Sequence, residues 1–315
     1  MSGRGRVRIG ISGWNYPKWR GWFYPRGCPH KRELEFASRT FETIEVNGSF
    51  YSLLRVTAVR EWYERTPRHF RFALKGSRFI THMKRLRDVE TPLANFFAAG
   101  PLALQEKLGP ILWQLPPQLP FDAERLERFF EQLPRSTMHA AKLAAGHDER
   151  LRDRAFTVCT RDRPIQHACE VRHASYVNSA FVRILERQGI ALCAADTGGL
   201  FPDFEDVTAD FVYARLHGDT KLYESGYSLA SLQRWAKRVR AWSEGTLPSN
   251  GRLMAPERTQ RAARRDVYVY FDNDARVRAP FDALTLRALV QGEKPPRAPW
   301  GLGGAGEPAR TTWPG

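Results

Sequence analysis

Short apolar, β-branched runs alternate along this chain with longer stretches of helical period, the pattern of βα units wound around a parallel sheet. Eight runs predict strands: Val7–Ser12, Thr43–Asn47, Phe70–Lys75, Pro110–Leu115, His167–Arg172, Ala191–Asp196, Phe211–His217 and Asp266–Asn273. The spacing between them predicts helices over Lys31–Arg39, Val56–Arg65, Pro92–Lys107, Asp122–Leu133, Tyr176–Gln188 and Ser228–Ser243, with a last one near Pro280–Val290. Ser228 before Leu229, and Asp122 three residues before Arg125, are helix-start signals. The link Thr197–Asp210 is too short for a standard helix, so the sixth unit is expected to be degenerate. The fold class this predicts is α/β, a (β/α)₈ TIM barrel forming a single domain over residues 1–291.

Two stretches interrupt the spacing. Arg135–Gln166 reads as a basic helical insertion before the fifth strand, and Gly245–Arg265 carries Arg252, Arg258, Arg261, Arg264 and Arg265 before the eighth. Each follows a helix and precedes a strand, so each is expected to start from the face opposite a barrel's chemistry. Residues 292–315 are rich in Gly and Pro and read as a flexible, disordered tail that Trp300 and Trp313 could dock.

Strand alternation then points to a site. Side chains of a closed barrel alternate between its interior and its helices, and the helix-facing set is apolar. Ile44 and Val46 take that set in the second strand and leave Glu45 and Asn47 inward. The same argument turns inward Gln114, Glu170 with Arg172, and Tyr213, Arg215 and His217; it also turns inward Tyr268, Tyr270 and Asp272, with Lys75 joining from the third strand. Asp196 is grouped with them on the phase of Leu192 and Ala194, and Asn273 follows Asp272. All fall at or near strand C-termini, where barrel enzymes place their chemistry. The alternative for the same pattern is an ion-pair network that plugs the barrel top, Glu45 or Glu170 with Arg215.

Composition narrows the class. No stretch approaches the roughly 18 to 20 apolar residues of a membrane helix, so no membrane partner is expected. Met1–Arg8 has no secretory pattern, which predicts a cytoplasmic location. Cys28, Cys159, Cys169 and Cys193 show no metal spacing, and the last two read as buried strand thiols. The formal net charge of +15 favours polyanions, so an anionic small molecule or nucleic acid is the expected partner; a merely solvated basic surface is the other reading.

Several motifs resemble one family. They are Ile11-Ser12-Gly13-Trp14-Asn15-Tyr16-Pro17, Glu45-Val46-Asn47-Gly48-Ser49-Phe50-Tyr51, Lys75 with Thr81-His82, and Gln114-Leu115-Pro116-Pro117. Glu170-Val171-Arg172-His173, Val212-Tyr213-Ala214-Arg215-Leu216-His217-Gly218 and Tyr270-Phe271-Asp272-Asn273-Asp274 continue the likeness. Together they resemble the YecE-like family, domain of unknown function 72, whose members are TIM barrels. The likeness implies an architecture and a clustered pocket and leaves the reaction open.

For chemistry, Glu45, Glu170, His217 and Asp272 are the catalytic candidates. Trp14, Tyr16, Asn47, Lys75, His82, Gln114, Arg172, Asp196, Arg215 and Asn273 are the substrate-binding ones, with Lys75, Arg172 and Arg215 as anion clamps. A ring-orienting role for His217 is the alternative to proton transfer. No cofactor is predicted. A multi-zinc site built from His82, His173, His217 and the carboxylates, Asp274 included, is disfavoured by the cations among them, and one divalent metal on Glu170, Asp196 or Asp272 stays open. The aromatic residues of the first loops, Trp14 to Tyr24 with Phe50 and Tyr51, either stack on rings of a ligand or pack as a lid; Trp14 and Tyr16 are expected to touch ligand. The expected function is an enzyme, a hydrolase or lyase on a phosphorylated or nucleic-acid-derived substrate. Non-catalytic nucleic-acid binding is the rival.

Overall fold

The computed structural model describes residues 4–257 and 264–296. Arg258, Arg261, Trp300, Trp313 and most of the Gly/Pro tail lie outside the described residues. Eight strands, β1 (Val7–Ser12), β2 (Thr43–Val46), β3 (Arg71–Lys75), β4 (Leu108–Gln114), β5 (His167–Glu170), β6 (Ala191–Asp196), β7 (Phe211–Leu216) and β8 (Asp266–Phe271), pair in parallel in chain order. β8 closes on β1, with Gly10 opposite Tyr270. Around the barrel lie α1 (Glu33–Thr40), α2 (Gly48–Tyr51), α3 (Val56–Arg65), α4 (Glu90–Ala98), α5 (Ala123–Glu131), α6 (Thr137–Ala144), α7 (Ser179–Gln188), α8 (Leu229–Ser243) and α9 (Arg278–Gln291).

The alternation that predicts the strands is the one that builds two cores. In β8, Val267, Val269 and Phe271 join the large apolar layer between barrel and helices, whereas Tyr268 and Tyr270 point into the barrel. Ala73, Leu112, Ala168, Cys193 and Tyr213 fill the interior beside them, so the barrel is packed below its mouth. The start signals act as expected: the Asp122 side chain accepts from the Arg125 N–H and Ser228 from the Ser231 N–H.

The Thr197–Asp210 link contains no helix, which matches a degenerate sixth unit. The helix expected over Pro92–Lys107 is broken. α4 stops at Ala98, Gly100 takes a φ of 140°, and a 3-10 segment runs over Pro101–Lys107. Proline lacks the N–H that would continue the ladder, and the positive φ reverses the chain at low cost only for glycine. The basic insertion folds as α6 and a 3-10 turn, Glu149–Leu151, and docks along α4: the Phe156 N–H donates to the Ala98 carbonyl (2.8 Å) and the Asp148 N–H to Asn95 Oδ1 (3.0 Å). Among the described residues no helix is long and apolar enough to cross a membrane.

Barrel closure depends on a missing side chain at Gly10. A Cβ there would fall 2.0 Å from the Thr43 carbonyl oxygen, next to the 2.7 Å contact of Thr43 Oγ1 with the Tyr270 hydroxyl. Gly10→Ala is therefore expected to cost about 1–3 kcal/mol or more by overpacking, read as a lower urea midpoint. An unchanged midpoint would show that this strand contact does not hold the barrel shut.

Candidate active site at the C-terminal mouth of the barrel

The inward phase of β2, β5, β7 and β8 ends in charge. Arg215, with no exposure, is the centre. Its Nη2 donates to Glu45 Oε1 (2.9 Å) and Asp272 Oδ2 (2.7 Å), its Nη1 to Glu170 Oε2 (2.8 Å) and its Nε to Glu45 Oε1 (3.2 Å). Glu45 also accepts from Ser12 Oγ (2.8 Å) and from the Tyr213 hydroxyl (2.6 Å), and Glu170 from Arg172 Nε (2.8 Å). Buried carboxylates survive only with this density of donors.

Electrostatics sorts the groups. Burial pushes the Glu170 carboxyl up, but Arg172 and Arg215, with His217 and Lys75, outweigh it and hold the group well below the usual carboxylate range. Asp272 is likewise raised by burial and pulled below its ordinary value by Arg215, His217 and Lys75. Asp274, beside Tyr16, is pushed up to about 6 by burial and by the Asp272 charge. Burial and the Lys75 and Arg172 charges lower His82 to about 4, so that ring is neutral near pH 7.

A sealed layer and an opening can be told apart. Glu45, Glu170, Arg215 and His217 are fully buried, whereas the Asp272 and Arg172 side chains each keep 12% exposure. Around them stand Lys75, Tyr16, the half-buried His82, and Gln114, whose amide Nε2 lies 3.5 Å from His82 Nε2. Asn47 caps the end of β2 at the same mouth, with its Oδ1 buried and without a partner. Nδ1 of His217 comes within 3.2 Å of Asp272 Oδ2 but off the line of a hydrogen bond, so neither ring nitrogen is bonded.

Several residues take different places from those expected. Arg215 has every guanidinium nitrogen engaged by carboxylates and none left to clamp a ligand. Glu45, Glu170 and His217 lie beneath the surface and can act only through the groups above them, leaving Asp272 as the catalytic candidate that reaches the opening. Asp196 faces away from the interior, where it accepts from Trp235 Nε1 (3.1 Å) on α8. β6 turns the small Ala191, Cys193 and Ala195 inward to leave room for the side chains of β7, and apolarity alone could not mark its faces. Asn273 points toward α9 and donates to Asp282 Oδ2 (2.8 Å). Trp14 packs edge-on against Trp62 of α3 (5.2 Å) instead of facing a ligand. His173 only caps a 3-10 turn, because β5 has ended at Glu170. The aromatic loop is mostly packing, with Trp19 and Tyr24 fully buried, and Tyr16 remains at the mouth, tilted against Trp19 and donating to the Ser12 carbonyl (2.6 Å).

Two further residues stand at the mouth without a directional signal in the sequence. Tyr223, from the loop after β7, accepts from Arg172 Nη2 (3.3 Å), and the Phe201 ring lies 4.8 Å beneath the Arg172 guanidinium. Both sit in irregular loops, where no period marks a direction. Two surface depressions of about 320 Å³, one lined by Asp122 and Arg125 and one by Trp22 and Arg26, lie away from this mouth and gather no comparable set of groups.

The family described as "Protein of unknown function DUF72" matches residues 8–302. UPF0759 protein YunF of Bacillus subtilis (strain 168) is 26% identical over 116 residues, 35% of this chain and 40% of that protein, so the matched stretch spans less than half the curated relative's length. Among solved structures, a DUF72 family protein of Thermotoga maritima MSB8 superposes with a TM-score of 0.70 at 22% identity, covering 91% of this chain and 99% of that one. One from Enterococcus faecalis V583 gives 0.64 at 16% identity, covering 90% and 95%. These similarities confirm the barrel and the resemblance to domain of unknown function 72.

Removing the central cation tests the network. Arg215→Met leaves buried carboxylates unmatched and is expected to cost about 3–5 kcal/mol near neutral pH in urea denaturation. The depressed Glu170 and Asp272 groups contribute stability that is present above the ordinary carboxylate value and lost as pH falls through their lower folded values. The variant lacks the share of that contribution that Arg215 supplies, while Arg172, His217 and Lys75 keep theirs, so its deficit should narrow below about pH 4. A deficit independent of pH would remove the ion network as its cause.

Proposed function

This chain belongs to the DUF72 family, and from that footing we propose that it is an enzyme that binds a small phosphate-bearing or nucleic-acid-derived anion at the barrel mouth and acts on it by proton transfer. The observation that carries the reading is the pair Asp272 and Asp274, two carboxyls of one strand end whose environments push them apart. Asp272 is held ionised by Arg215, while Asp274 sits at about 6. Such a split assigns Asp272 as the base and Asp274 as the acid, both in their working forms below about pH 6. Lys75 and Arg172 supply cations for the anion, with Tyr16 and Asn47 as polar wall. The sealed Glu45, Arg215 and Glu170 keep the field at the opening fixed, so no reorganisation is needed when charge develops there. A hydrolase or lyase uses this chemistry. Four unpaired thiols fit a reducing, cytoplasmic setting.

The net charge of +15 favours a second reading, non-catalytic binding of nucleic acid by the basic surface. The two readings separate experimentally. Incubation with a panel of phosphorylated sugars and nucleotides, followed by mass spectrometry, is expected to show turnover that Asp272→Asn lowers by about 10²–10⁴-fold with the fold intact. That turnover should fall as pH rises through about 6, because Asp274 loses its proton. Calorimetry with inorganic phosphate should show binding that Arg172→Leu weakens about tenfold or more. No turnover, together with steeply salt-dependent DNA binding that Asp272→Asn leaves unchanged, would sink the enzyme reading.

A further inference from the structure

We infer that Lys75 acts as a covalent amine, forming an imine with an aldehyde or ketone that also carries a phosphate or carboxylate group, which Arg172 holds. The inference rests on the mouth being the reacting place and names the substrate class for it.

Lys75 ends β3 at 8% exposure, and among the described residues its Nζ makes neither an ion pair nor a hydrogen bond. It lies over the face of the Phe50 ring, 4.2 Å from the ring centroid. The two guanidinium groups nearby are engaged, Arg215 by three carboxylates and Arg172 by Glu170 and Tyr223. A cation needed only to balance charge would settle on a carboxylate oxygen, because a buried unpaired ammonium is costly. Lys75 is instead kept off the carboxylates and at the opening. Burial and the Arg215 charge bring it down to about 8, against the opposing pull of Glu170, Asp272 and Glu45. Near neutral pH it therefore holds on the order of a hundredfold more neutral amine than an ordinary lysine. Desolvation beside another cation is the established way to make a lysine nucleophilic.

The step balances with the groups at hand. The Nζ lone pair attacks the carbonyl carbon and the C=O π pair moves to oxygen. That oxygen leaves as water with the two amine protons, and a C=N bond remains. Protonated from solvent, the imine restores the positive nitrogen that Glu170 and Asp272 face, which favours the adduct over the free neutral amine.

Incubating the full chain with dihydroxyacetone phosphate, and separately with pyruvate, in the presence of sodium cyanoborohydride tests this. Intact mass and peptide mapping are expected to find one reduced adduct per chain, on Lys75, with either probe, and Lys75→Arg should lose it. Mapping on the unaltered chain keeps the test valid even where the variant misfolds. Lys75 left unmodified by both probes, or modified no more than surface lysines, overturns the inference, including when calorimetry shows that phosphate binds. An adduct on Lys75 without phosphate binding supports the imine and strikes the phosphate reading instead.

Discussion

A guanidinium with no exposure to water has to be matched by negative charge, and the top of this barrel is organised around that requirement. Arg215 reaches Glu45, Glu170 and Asp272 at once, from three other strands. Taking one such cation out of water costs several kcal/mol unless geometry and hydrogen bonding are both good. The four strand ends must therefore arrive in register, and a slip of one residue on any of them would send its charged group among the helices. The tyrosine layer below, with the Tyr213 ring tilted against Tyr270 at 5.1 Å, closes the network from beneath and satisfies the last oxygen of Glu45.

That network also divides labour by depth. Groups in the sealed layer are committed to one another and set the field. Groups nearer the opening, Asp272, Asp274, Lys75 and Arg172, feel that field and keep partial exposure. In the proposed reaction the second set would carry the chemistry, because a reacting atom needs both. The aromatic loop after β1 serves the same end. Trp19, Phe23 and Tyr24 bury one wall of the mouth, which excludes water from its flank and leaves Tyr16 as the side chain presented inward.

How much of this was legible in the sequence follows from which signals are local. The strands and most helices were, because period and capping are properties of neighbouring residues: Asp122 and Ser228 cap where their spacing implied. The break at Gly100-Pro101 was written in the sequence but lost inside a long apolar stretch. Glu45, Gln114, Glu170, Arg172, Arg215 and Asp272 could be assigned to one face because each alternates with large apolar neighbours. Asp196 could not, since both faces of β6 are small or apolar, and Tyr223 and Phe201 lie in loops that carry no period at all.

The sequence by itself determined the βα order, the closed parallel barrel and the inward set of charged residues, because strand periodicity turns side chains to one face whatever the partners are. Which of those residues are buried and spent on each other, and which remain open to a ligand, was decided by the tertiary structure. Depth along the barrel axis and the pairing of Arg215 depend on register between strands far apart in the chain, and no local pattern encodes that distance.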